Sequence, residues 1–211
     1  MKHTFLLLAS LLLINVTGGA QDDARSKAIV DKLMAKAKGW TSFQADFTSR
    51  LQNTKDKLDV KQTGTMKVKG KKFNLVLDNN TIINDGATMW TYNKESNEVN
   101  LSDPGEMDQD MDPSKLFTQY EKGFKSQFVE EKGNVQVVKL FPIDPSKKPY
   151  HTVVLKVDKA KVEPMEIQVL YKDGNIVTYT LLGFVANPDL NDALFTFNKA
   201  KYPGVEVNDM R

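Results

Sequence analysis

Residues 60–77 read Val60-Lys61-Gln62-Thr63-Gly64-Thr65-Met66-Lys67-Val68-Lys69-Gly70-Lys71-Lys72-Phe73-Asn74-Leu75-Val76-Leu77. Val60, Gln62, Gly64, Met66 and Val68 alternate with Lys61, Thr63, Thr65, Lys67 and Lys69, which is the period of a strand with one dry and one wet face. Gly70-Lys71 is a tight-turn signal, after which Phe73, Leu75 and Leu77 continue the dry face on a second strand. An exposed dry face is unstable in water, so this hairpin predicts a larger antiparallel sheet folded over an apolar interior.

The same period extends in both directions. Upstream, Phe43, Ala45, Phe47, Ser49 and Leu51 face one way and Gln44, Asp46, Thr48 and Arg50 the other. Downstream, Asn79-Asn80 and Asp85-Gly86 mark turns around strands at 81–84 and 87–93, and a short strand follows at 98–101. Residues 125–131, 134–141, 151–158, 164–172 and 175–186 are strand-like, with Gly133-Asn134 and Asp173-Gly174 at hairpin positions. About eleven consecutive antiparallel strands exceed what a flat open sheet holds comfortably. The predicted class is mainly β (α+β), a strongly curved, incomplete antiparallel barrel.

Two segments depart from the strand period. Residues 23–38 place Ile29, Leu33 and Ala37 on one helical stripe with Val30 and Met34 beside it, and Gly39 is a natural stop. Residues 102–123 interrupt the meander. The first half is an acidic loop; the second begins with Asp112 as a helix cap and Pro113 at the first helical position, then carries Leu116, Phe117 and Tyr120. A short helix here serves either as a lid or as a fixed plug over the concavity.

Lys2, the apolar run 5–16 and the small residues Thr17-Gly18-Gly19-Ala20 read as a secretory signal peptide over residues 1–20, leaving one mature domain over 21–211. The run is shorter than the ~20 residues that span a bilayer, which disfavours a membrane anchor. The mature protein is thus expected to be soluble and exported. Its formal charge falls from +2 to +1, because the leader removes one lysine and no acid. That balance gives no reason to expect nucleic-acid binding. The sequence contains no cysteine, which excludes disulfides, thiolate metal sites, thiol nucleophiles and an acylated N-terminal cysteine.

Catalytic motifs are equally sparse. His151 is the only histidine after the leader, and its alternating neighbours make it an ordinary strand residue. No G-x-S-x-G elbow, Walker loop or G-x-G-x-x-G occurs. Asp108, Asp110 and Asp112 begin with calcium-loop spacing, but Pro113 and Gln119 stand where the loop needs glycine and a bidentate glutamate. Neither a cofactor nor a metal is expected. The conspicuous feature is instead a set of large side chains on one sheet face: Phe43, Phe47, Met66, Val68, Phe73, Leu75, Leu77, Met89, Leu116, Phe117 and Phe128. They suit either a packed core or a lipid-holding cavity lined with adaptable methionines.

Six motifs in order resemble the LolA-like periplasmic carriers of outer-membrane lipoproteins. They are Ser42-Phe43-Gln44-Ala45-Asp46-Phe47-Thr48; Gly64-Thr65-Met66-Lys67-Val68-Lys69; Asn84-Asp85-Gly86-Ala87-Thr88-Met89-Trp90-Thr91-Tyr92-Asn93; Asp112-Pro113 through Phe117; Leu140-Phe141-Pro142; and Phe195-Thr196-Phe197 with Pro203-Gly204-Val205. The resemblance implies an eleven-stranded sheet whose concave side is covered by helices, and a cavity to which Trp90 is added alongside the residues above. It also implies acylated lipoproteins as cargo, an inner-membrane lipoprotein-releasing transporter as donor and an outer-membrane acceptor, with the carrier a monomer and not an enzyme. A lipoprotein sensor of the same fold and a secreted barrel-form hydrolase are the alternatives. One departure stands out: Lys69-Gly70-Lys71-Lys72 replaces the family's Lys-Arg-Pro, whose arginine is associated with holding the lid.

Overall fold

In a computed structural model, which describes residues 18–107 and 112–211, the hairpin at Gly70 lies within one curved twelve-stranded sheet. The leader up to residue 17, and Asp108 and Asp110 of the acidic loop, lie outside the described residues. The first meander comprises β1 (Ser42–Asn53), β2 (Leu58–Lys69), β3 (Lys72–Leu77), β4 (Asn80–Asn84), β5 (Met89–Asn93) and β6 (Glu98–Ser102). The second comprises β7 (Phe124–Lys132), β8 (Val135–Pro142), β9 (Tyr150–Asp158), β10 (Glu163–Tyr171) and β11 (Ile176–Ala186). Antiparallel pairing of β1 with β11 joins them. A twelfth strand, β12 (Glu206–Asp209), was not expected; it pairs parallel to β6 and forms one edge. β7 forms the other edge, so the sheet is open and not a closed barrel.

The expected alternation sets the inner face. Phe43, Val68 and Phe73 lie opposite one another across β1, β2 and β3, and all three are buried. Phe47 lies opposite Gly64, where an added Cβ would sit 2.5 Å from the Val76 carbonyl oxygen and 2.8 Å from the Phe47 ring. The glycine leaves room for that ring. One side of the interior is then covered by helix α1 (Gly18–Lys38), which begins earlier than the expected residue 23 and packs against β7 and β8. Its stripe of Ile29, Val30, Leu33, Met34 and Ala37 is buried in the same cluster as the sheet residues. Each large aliphatic buried there contributes about 1.5–3 kcal/mol.

A separate apolar set covers the outer face of β3 to β6. The C-terminal segment crosses it, with the Asn74 amide donating to the Leu194 carbonyl at 2.7 Å and Lys69 donating to the Leu190 carbonyl at 2.9 Å. Tyr92 on β5 meets Tyr202 at 4.4 Å and Phe197 at 6.2 Å between ring centroids. Val99 and Phe195 are fully buried there. This second core explains why the chain continues for twenty-five residues beyond the last antiparallel strand, which ends at Ala186 of 211 residues.

The Gly64 geometry gives a direct test. Gly64→Ala is expected to destabilise the fold by about 1–3 kcal/mol through overpacking. Gly105→Ala, where nothing lies within 4 Å of the added atom, is the control. Equal melting temperatures for the two variants would show that Phe47 yields without cost.

Candidate functional site

The sheet's two edges leave its concave face open, and residues 112–123, which lead into β7, pack over that opening. The expected lid helix is not an α-helix. Pro113–Lys115 forms a single 3-10 turn, and the following residues are further turns. Asp112 caps it as expected, accepting from the Ser114 N–H at 2.9 Å and from its hydroxyl at 2.6 Å. Pro113 starts the turn but the segment is too short, and too bound by its tertiary contacts, to propagate a helix.

Those contacts are aromatic. The Phe117 ring sits 5.1 Å from Phe43, 5.4 Å from Trp40 and 5.7 Å from Phe184 between centroids, the latter two edge-on. Such pairs add about 0.5–1.5 kcal/mol each beyond area burial. Tyr120 packs edge-on against Phe124 at 5.6 Å. Lys38 at the end of α1 binds Glu121 at 2.6 Å and holds that carboxyl below the usual range. A cleft of ≈ 280 Å³ beside this cluster is lined by Trp40, Phe43, Val68, Gly70 and Phe117 among others, and a second of ≈ 510 Å³ lies between α1, Tyr120 and β7.

Phe184 reaches the cluster only because β11 is bulged. The register with β1 shifts between Gln44 and Asp46, opposite Gly183, whose φ is +58°. The extra residue turns Phe184 inward and leaves Val185 exposed, the reverse of uninterrupted alternation from Leu181. Sequence reasoning missed Phe184, Trp40 and Tyr179; Gly183 inside a strand run was the available signal.

The expected lining residues are distributed as follows. Phe43, Phe47, Met66, Val68, Phe73, Met89 and Phe117 are buried together in the interior cluster, and Leu75, Leu77, Leu116 and Phe128 pack partly buried against it. Trp90 is a correction. Its neighbour Met89 points inward, so Trp90 points outward, level with Ile83 and Leu101 on the face that the C-terminal segment covers. Phe128 lies beneath the Arg25 guanidinium of α1, 3.8 Å above the ring centroid. His151 is exposed on β9, its Nδ1 beside the Thr152 hydroxyl at 2.8 Å. Among the described residues no cluster of histidine or acidic side chains could hold a metal ion.

Arg25 also anchors α1 to the sheet, binding Glu131 at 2.6 Å. Bonds from Lys159, Gln136 and Arg25, in that order of effect, hold the Glu131 carboxyl down at about 2. A folded-state value below the unfolded one contributes stability above the ordinary glutamate value of 4.5, and that contribution is lost as pH falls toward about 2. Wild type is therefore expected to melt above Glu131→Gln at pH 6, with the gap closing by pH 2. A gap independent of pH would overturn this.

Gly70, standing in place of an arginine, has a backbone reason. Lys69 and Lys72 pair across a two-residue turn in which Gly70 has φ +58° and Lys71 is not left-handed. That is the II′ pattern, which takes glycine first. A Cβ there would meet nothing within 4 Å, so the constraint is torsional. Gly70→Ala and Gly70→Arg are both expected to cost roughly 1–2 kcal/mol. An arginine variant as stable as wild type would show that its side chain gains a compensating contact.

Known proteins match this architecture over most of its length. The model of the family described as Outer membrane lipoprotein carrier protein LolA matches residues 38–198. An outer-membrane lipoprotein carrier protein of Histophilus somni (strain 2336) is 28% identical over 98% of both chains. The crystal structure of an uncharacterized conserved protein from Thermus thermophilus shares the fold at TM-score 0.56 and 12% identity, over 88% of this chain and 99% of that one. A sheet open at both edges, one α-helix among the described residues packed on its β7 side and a family match spanning nearly all the strands lead to one assignment: the chain belongs to the LolA family.

Proposed function

We propose that the protein is a periplasmic carrier that shields the acyl chains of lipoproteins, taking them from an inner-membrane releasing transporter and handing them to an outer-membrane acceptor. One observation carries this. The apolar concave face is closed by α1 and by a segment whose regular structure among the described residues is only 3-10 turns, so it can be uncovered without breaking a strand pair. Phe117 and Leu116 occupy space that acyl chains would take. Each methylene moved out of water contributes ~0.8 kcal/mol, enough for chains to displace the aromatic contacts of the segment.

The family description and the name of the Histophilus relative support lipoprotein as cargo, and the leader pattern at residues 1–20 supports export to the periplasm. No helix among the described residues is long and apolar enough to cross a membrane. The reading needs no catalysis: the carrier binds and releases, and the lining residues proposed for it are Phe43, Phe47, Met66, Val68, Phe73, Leu75, Leu77, Met89, Leu116, Phe117 and Phe128.

Native mass spectrometry of protein recovered from the periplasm is expected to show an acylated polypeptide bound. Half-buried Leu75 is the best position for a folded variant. Leu75→Glu is expected to weaken lipopeptide binding at least tenfold, because a charge facing acyl chains costs several times ~1.4 kcal/mol. Thr65→Lys, on the wet face, is expected to leave binding intact. Amide exchange across residues 112–120 is expected to change when lipopeptide saturates the protein. An unchanged exchange profile together with no acylated species in the spectrum would overturn the proposal.

A further inference from the structure

One row below Phe47 the concave face changes chemistry. Gln62 on β2, Ser49 on β1 and Tyr179 on β11 are direct cross-strand neighbours. All three stand two residues from inward-facing positions of their strands, Gly64, Phe47 and Leu181, and so share the inner face. The row continues with Ile167, Leu155 and Val138, which are buried and apolar. One row further out, Val60, Leu51 and Val177 are apolar again, Leu51 and Val177 half-buried and Val60 exposed.

Ser49 and Tyr179 are half-buried and Gln62, at the mouth of the row, is exposed; none of the three side chains has a hydrogen-bond partner among the described residues, and none is sealed from open space. Tyr179 is the telling member. Its ring packs on the core at 6.5 Å from Phe47, and a tyrosine so enclosed ordinarily finds a partner for its hydroxyl. Burial pushes that hydroxyl up to about 12, so it remains a donor at every working pH. Together the row offers a phenol O–H, a serine hydroxyl and an amide N–H₂, three donors with no charge. They suit a neutral ligand bearing carbonyl acceptors and apolar chains. Adjacent strands set the donors roughly 5 Å apart, within reach of esters on neighbouring glycerol carbons.

We propose that Tyr179, Ser49 and Gln62 form a polar collar within the apolar groove that hydrogen-bonds the ester carbonyls of a diacylglyceryl group. This rests on the carrier reading and deepens it: the collar fixes where the glyceride stops and sets how far its chains extend past Phe47 and Leu75. Acyl esters occur both in a lipoprotein's modified N-terminal cysteine and in phospholipids, so the chemistry is shared between two sources.

The test compares ester- and ether-linked versions of one S-diacylglyceryl-cysteine lipopeptide, which differ only in the carbonyls. Wild type is expected to bind the ester about fivefold to tenfold more tightly, the effect of one or two net hydrogen bonds. Tyr179→Phe is expected to lose most of that preference while its affinity for the ether form and its melting temperature stay unchanged. Ser49→Ala is expected to lose part of it, and serves if the tyrosine variant fails to fold. Repeating the pair with a phospholipid of the same chains separates the sources: an ester preference in both ligands assigns the collar to the glyceride itself, and one confined to the lipopeptide assigns it to lipoprotein cargo. Equal binding of ester and ether by wild type, or a preference that survives in both variants, overturns the collar while leaving the carrier reading intact. Binding of neither ligand by wild type overturns the carrier reading and the collar with it.

Discussion

A twelve-stranded sheet whose apolar concave face lies between two unjoined edges cannot exclude water from that face by pairing alone. α1 and the segment leading into β7 both answer to this constraint, while the C-terminal segment covers the apolar outer face of β3 to β6. α1 covers the β7 side with its stripe from Ile29 to Ala37, and the crossing segment covers the remaining opening with Phe117 and Tyr120. The edges themselves are blunted in different ways. β12 is only four residues long, and β7 carries a bulge between Phe128 and Glu130 and is rich in Lys and Glu, features that discourage pairing with another chain.

The two covers are built to different strengths. α1 is fixed to the sheet by a long buried stripe, by the Ser26 hydroxyl bonded to that of Ser126 at 2.9 Å, and by ion pairs from Arg25 to Glu131 and Lys36 to Glu163. Among the described residues, the crossing segment has few backbone hydrogen bonds beyond its own turns and is held by the ring contacts around Phe117 and by the Lys38–Glu121 ion pair. Aromatic packing is non-directional enough to be replaced by acyl chains of similar area, whereas a strand or ion-paired helix is not. On the proposed carrier reading, the weaker cover is the one that would yield. No arginine latch is needed for that division of labour, and the II′ turn at Gly70 favours glycine over an arginine there.

Most of the sheet was legible because its period is two and its turns carry Gly, Asn and Asp. Eleven strands, the stripe of α1 and the inward positions from Phe43 to Leu77 follow from alternation alone. What was not legible depended on tertiary context. β12 has no apolar pattern of its own and exists only because β6 offers an edge. Phe184 required an extra residue at Gly183 to be counted, since a single bulge inverts all later alternation. Trp90 was drawn toward the concavity by a motif and not by its parity with Met89. The helical signature at Asp112-Pro113 was correct for one turn and was then overridden by the demands of Phe117.

A carrier faces a limit that a storage protein does not, because the same burial that holds acyl chains also resists their release. An all-apolar groove would bind longer chains ever more tightly, at ~0.8 kcal/mol for each methylene. In the proposed carrier, Phe117, Phe43 and Trp40 would temper this by filling the space when cargo is absent, so that only the difference between ring packing and chain packing would set affinity. A row of uncharged donors at Gln62, Ser49 and Tyr179 acts on a second variable. Their hydrogen bonds are made to the head of the ligand and are exchangeable with water as it leaves, so position along the groove is specified without adding burial. Selection by carbonyl placement and retention by chain area are thereby separated, and a receiving protein need only offer more apolar surface to draw the cargo out.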